Sequence, residues 1–163
     1  MKEAEREWLK GMATLGAATK WTAEEIRLVT ELGYGLAEQG RVAEAIVLFE
    51  GLAAVAPATV YFQAALGALW LRENEFEKAL AYLNQVLQID ARNVVALVNR
   101  GEANLRLNDR NAARRDLQRA ILLGREIGRA NDAQSLEGKS ITRARGLLLA
   151  LEKENGSMNI AKT

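Results

Sequence analysis

Apolar residues recur along this chain at spacings of three and four rather than two, so the pattern predicts helices and leaves no stretch that reads as a strand. The spacing predicts helices over about residues 22–39, 42–55, 58–73, 76–89, 93–107 and 110–127, with breaks at Gly40, Pro57, Asn74, Asn108 and Gly128. Two further helices flank these six. One covers residues 1–20 and carries Trp8, Met12 and Leu15 on a single stripe, although Gly11 and Gly16 weaken it. The other covers about 132–154, begins near Asn131 or Asp132, and aligns Ile141, Ala144, Leu147, Leu148 and Leu151 on one face. The tail 155–163 has no periodic pattern and is expected to be disordered. The fold class is therefore all-α.

Local chemistry fixes several boundaries. In Trp21-Thr22-Ala23-Glu24-Glu25-Ile26, Thr22 and Glu25 have the spacing of a capping box, and Trp21 can staple onto Ile26. Gly40 can take the left-handed conformation that closes a helix, and asparagine tolerates that conformation better than most residues, so Asn74 and Asn108 can stand in its place.

Those three stops are evenly spaced, and so is a triplet of packing residues. Gly33, Ala45 and Phe49 return as Gly67, Ala79 and Leu83, then as Gly101, Ala113 and Leu117, each 34 residues after its counterpart. A constant period of that length marks an array of helix–turn–helix repeats. Small residues allow two helices to cross closely while Phe49, Leu83 and Leu117 fill the space beside the crossing. The final helix then serves as the cap that the open end of an array requires.

Composition narrows the function by exclusion. Among 163 residues there is no histidine and no cysteine, so a Ser-His-Asp triad, a Cys-His pair and a Cys/His zinc site are all ruled out. No convergent carboxylate pair suggests an enzyme, and no cofactor is implied. No apolar run reaches the roughly 18 residues of a membrane span, and the start MKEAEREWLK is too charged for a signal peptide, which points to a cytoplasmic location. The net charge of +1 is unevenly spread: residues 1–91 carry 8 cations and 13 anions, and residues 92–163 carry 14 cations and 8 anions. Such a distribution fits solvated helix faces or a polar molecule that orients a partner. Arg110, Arg114, Arg115 and Arg119 form a basic helix, but Asp109 and Asp116 interrupt it and no aromatic is interleaved, so nucleic acid is disfavoured as a partner.

The repeated residues resemble the tetratricopeptide (TPR) repeat. Unit 26–59 matches with Leu32, Gly33, Gly40, Ala45, Phe49 and Pro57; unit 60–93 with Leu66, Gly67, Trp70, Ala79 and Leu83; unit 94–127 with Gly101, Ala113, Leu117 and Ala120. Arg100, Asn104 and Arg125 depart from the pattern, so the third unit is the loosest match. The resemblance implies a short right-handed α-solenoid of three units with a leading helix and a C-terminal capping helix. A narrower resemblance, carried by Phe49-Glu50-Gly51-Leu52 and by Leu66-Gly67-Ala68 after Tyr61-Phe62, is to the class II chaperones of bacterial type III secretion, which hold translocator proteins before export.

In the TPR family, ligands lie along the concave surface formed by the first helix of each unit. Carried onto this sequence, the resemblance assigns Arg27, Thr30, Tyr34 and Ala37 from the first unit, Tyr61, Ala64, Ala68 and Leu71 from the second, and Val95, Val98, Glu102 and Leu105 from the third. The set is mostly apolar and suits an extended peptide, although Tyr34 and Tyr61 are also placed to pack between units. A carboxylate clamp needs several converging cationic and amide donors. Here Arg27, and Asn99 one position beside the groove set, resemble them, so a clamp is disfavoured. The implied function is binding of a protein or peptide client, with a structural adaptor that scaffolds a larger assembly as the alternative. The stripe of Trp8, Met12 and Leu15 fits either a homodimer contact or docking onto the first unit.

Overall fold

A computed structural model describes residues 21–57, 59–126 and 135–160. The leading helix, with Trp8, Met12 and Leu15, lies outside the described residues, as do Gly128, Asn131, Asp132 and residues 161–163. The described chain forms α1 (Ala23–Glu38), α2 (Val42–Val55), α3 (Val60–Arg72), α4 (Phe76–Ile89), α5 (Val94–Arg106), α6 (Arg110–Glu126) and α7 (Leu136–Ile160). Each helix packs on the next, and α3 also meets α5, so successive pairs stack into an all-α solenoid.

The helix ends follow the local chemistry of the sequence. Thr22 N–H donates to Glu25 Oε2 at 2.9 Å and Glu25 N–H donates to Thr22 Oγ1 at 3.2 Å, completing the capping box of α1. Gly40, Asn74 and Asn108 have φ of 81°, 61° and 65°. After each of them the next N–H reaches back to a helix carbonyl: Arg41 to Leu36 at 2.9 Å, Glu75 to Trp70 at 3.0 Å and Asp109 to Asn104 at 2.8 Å. Each unit thus turns between its two helices through the same kind of left-handed stop. Asn93 and Asp109 side chains accept from the N–H groups of Ala96 and Ala112 and so start α5 and α6. Ser135 Oγ does the same for α7, accepting from Gly138 N–H at 3.0 Å. That helix runs to Ile160, so residues 155–160 are helical rather than part of a disordered tail. Once the packed half of a helix exists, each added residue gains a backbone bond at little further entropic cost.

Inside each unit the repeat triplet forms the crossing. A Cβ placed on Gly33 would lie 2.8 Å from Phe49 Cε2, one on Gly67 2.7 Å from Leu83 Cδ2, and one on Gly101 2.9 Å from Leu117 Cγ. Phe49, Leu83 and Leu117 are wholly buried, and each burial stabilises the fold by about 1.5–3 kcal/mol. Two core clusters result. One spans Trp21 to Leu69; the other runs from Ala79 through the third unit to Ile141, Ala144 and Leu151 of α7, and Trp70 touches both.

The third unit departs from the repeat where Arg100 replaces an apolar residue, and the departure has a partner. Arg100 Nε and Nη2 donate to the two carboxylate oxygens of Asp116, both at 2.8 Å, and Nη1 donates to Asn84 Oδ1 at 2.8 Å. Asp116 is buried, so it does not interrupt the arginine-rich face of α6 as its sequence position suggests. Instead it neutralises a guanidinium held between α4, α5 and α6.

Candidate functional site

A cavity of about 840 Å³ opens on the face formed by α1, α3 and α5. Its lining is mainly apolar. Tyr34 and Ala37 come from α1, Tyr61, Ala64, Ala65 and Ala68 from α3, and Val94 and Val95 from α5. Residues 61, 64 or 65, 68 and 72 share one face of α3 because they recur at three- and four-residue spacing, which is why one helix supplies so much of the floor.

Four aromatic rings brace one end. Tyr34 stands edge-on to Phe49 at 5.1 Å between centroids and to Tyr61 at 6.1 Å; Tyr61 is edge-on to Phe62 at 5.9 Å, and Phe62 lies 6.5 Å from Phe49. Phe49 and Phe62 are buried, whereas Tyr34 and Tyr61 remain 39% and 52% exposed. Both tyrosines therefore pack between the first two units and present a surface to the cavity. Burial, and then the interaction with the Tyr61 hydroxyl, raises the pKa of Tyr34 well above the ordinary tyrosine value, so it stays a neutral donor at physiological pH.

Of the residues assigned to the groove, Tyr34, Ala37, Tyr61, Ala64, Ala68 and Val95 line the cavity. The others do not. Arg27 is turned along α1 and pairs with Glu24 and Glu31, and the Thr30 hydroxyl donates to Ile26 O at 2.7 Å. Leu71 and Leu105 pack against the second core cluster. Val98 is fully buried and offers no surface to a ligand. Glu102 is met by Arg143 of α7, whose Nη1 stands 3.5 Å from Glu102 Oε2.

The final helix also shapes the cavity. Besides covering α6, α7 packs against α5, and it places Leu136, Glu137, Lys139, Ser140 and Arg143 in the cavity wall. Arg143 Nη2 also donates to Asn99 Oδ1. The concave face of the third unit is thus closed by a helix that does not follow the repeat. Sequence reasoning missed these residues and also Arg72, which lines the cavity too. Periodicity does carry a signal for Arg72, since it stands four residues after Ala68 on the same helical face. Among the described residues, no group of three or more acidic residues could hold a metal ion.

This geometry defines an α-solenoid of tetratricopeptide type with a concave apolar channel. No family model matches the chain, and no curated protein matches it. Solved structures do share its fold. PcrH of Pseudomonas aeruginosa, solved in complex with the chaperone binding region of PopD, is 19% identical with a TM-score of 0.71, over 83% of this chain and 97% of that one. The type III secretion translocator chaperone SycD of Yersinia enterocolitica is 18% identical with a TM-score of 0.68, over 88% and 96%. The TPR2B domain of yeast Sti1, in complex with pHsp70, is 19% identical with a TM-score of 0.61, over 77% and 97%.

Proposed function

We propose that the protein is a non-enzymatic chaperone that holds an extended segment of a secreted client in its concave channel. The observation that carries this reading is the channel floor, where Tyr34, Tyr61, Ala64 and Ala68 present apolar surface over about 840 Å³. Exposed apolar surface of this kind is costly unless something covers it, and the volume is in the range that accommodates several side chains. Alanine depressions beside tyrosine ridges suit a chain whose side chains enter one after another. The likeness to PcrH supports the reading, because structures of that protein hold the chaperone binding regions of PopD and of PopB. No described helix is long and apolar enough to cross a membrane, and the proposed place of action is the cytoplasm, where a client awaits export.

The adaptor alternative draws support from the likeness to the Sti1 domain. Against a carboxylate clamp of the adaptor kind, Arg27 is paired with Glu24 and Glu31 outside the channel. Copurification with mass spectrometry tests the proposal. A chaperone recovers one exported protein in a stoichiometric complex; recovery of several folded partners and no exported chain would overturn it.

A further inference from the structure

The channel carries a chemical preference in addition to its apolar floor. Arg72 lies at the end of the α3 face that holds Ala64 and Ala68, and it lines the cavity. Its Nη2 donates to Ala37 O at 3.0 Å, across to the preceding unit. That bond holds the planar group in place and uses one of its five N–H donors. The other arginines of the wall have acidic partners: Arg92 Nη2 stands 2.8 Å from Glu126 Oε2, and Arg143 meets Glu102. Two carboxylates line the wall: Asp90 accepts from Arg92 N–H and from Asn93 Nδ2, and Glu137 stands on α7. Among the described residues no carboxylate pairs with Arg72. A cation braced by a hydrogen bond at the edge of an apolar floor, with donors to spare, is prepared for an incoming anion.

We propose that the channel selects peptides in which an aspartate or glutamate side chain lies close to the aliphatic anchors, with Arg72 as the recognising group. The inference rests on the reading of the channel as a peptide site and names the chemistry that the peptide carries. Ala68 and Arg72 are about 6 Å apart along the helix, the length of about two residues of extended chain. The acidic residue therefore sits within a few positions of the side chain seated over Ala68. Lys139 also lines the wall without a carboxylate partner among the described residues, but its ammonium has no bond like that of Arg72 to Ala37 O to fix its direction.

The test uses short, fluorescently labelled, amidated peptides carrying two spaced leucines and, at successive positions after the second, either Glu or its uncharged isostere Gln. With the full-length protein, the best Glu peptide is expected to bind about fivefold tighter than its Gln counterpart, a gap that narrows at high salt. The Glu-to-Gln ratio should fall to about one in Arg72→Gln and stay at about fivefold in Lys139→Gln, whatever either variant does to the Gln peptide itself. Equal binding of Glu and Gln peptides, or a gap that survives Arg72→Gln, would overturn the proposal and leave the channel a peptide site. So would a preference for a free C-terminal acid without any effect of Glu. Failure of every peptide, charged or not, would remove the peptide-site reading itself and this inference with it.

Discussion

Adding one methyl group at Gly67 tests the packing that sets the whole array. A Cβ there would stand 2.7 Å from both Cγ and Cδ2 of Leu83, whereas carbon atoms settle at about 3.5–4.0 Å, so the side chain or the helix must give by about 1 Å. Leu83 is fully buried in the second core cluster, where interiors are close-packed. Overpacking of this degree costs about 1–3 kcal/mol. Against it, replacing glycine by alanine inside a helix returns up to about 1 kcal/mol. With the full propensity gain, the expected result for Gly67→Ala is a net loss of about 0–2 kcal/mol, which for a chain of this size lowers Tm by about 2–4 °C per kcal/mol in calorimetry. Gly67→Leu should lose more. Gly35 supplies the comparison, since a Cβ on it meets nothing within 4 Å. Gly35→Ala keeps the helix-propensity gain without the clash and should melt at or above the wild type. If Gly67→Ala were as stable as Gly35→Ala, the helices of the second unit would not cross at this glycine.

Other consequences follow from single contacts. Asp116→Ala leaves Arg100 without its carboxylate beside a buried interface, and a loss of about 3 kcal/mol in denaturant unfolding is expected; a change within error would mean the pair is solvated. Ile141→Ala should cost about 2–5 kcal/mol because Ile141 is wholly buried, and an unaltered melt would show that α7 is not part of the core. The folded-state pKa of Tyr34 is raised above 10.0 chiefly by burial, so the stability it contributes is complete below pH 10 and is lost as pH rises past that value. In alkaline difference spectra of wild type against Tyr34→Phe, the missing phenolate signal should therefore appear above the ordinary tyrosine range. Its appearance at the ordinary value would place Tyr34 in solvent.

The repeat itself was legible because each of its features has a local cause. A glycine that must let Phe49 or Leu83 approach, and an asparagine that must take positive φ, are demands on single residues, so they show in the sequence at every return of the period. The site was legible only where it keeps that period. Tyr34, Tyr61, Ala64 and Ala68 line the cavity because the first two units follow the repeat geometry. Over the third unit the symmetry is broken by α7, and nothing in a 34-residue period says that Arg143 will reach Asn99 and Glu102, some 40 positions earlier in the chain. Arg100 and Asp116 illustrate the same limit. Each is a departure or an interruption when read alone, and their pairing across α5 and α6 emerges only from tertiary packing.

The central claim is that a client segment lies in the concave channel, and Ala68→Glu addresses it most directly. Ala68 is half-buried in the floor, and a carboxylate placed there would be desolvated against the aliphatic side chain that the channel is proposed to hold. Titration calorimetry of the copurified client segment should show a loss of about 2 kcal/mol or more in binding for Ala68→Glu at nearly unchanged protein stability. Gln85→Glu, on the exposed face of α4, should bind as the wild type does. A folded Ala68→Glu protein that keeps full affinity for the client, or a Gln85→Glu protein that loses it, would contradict the account.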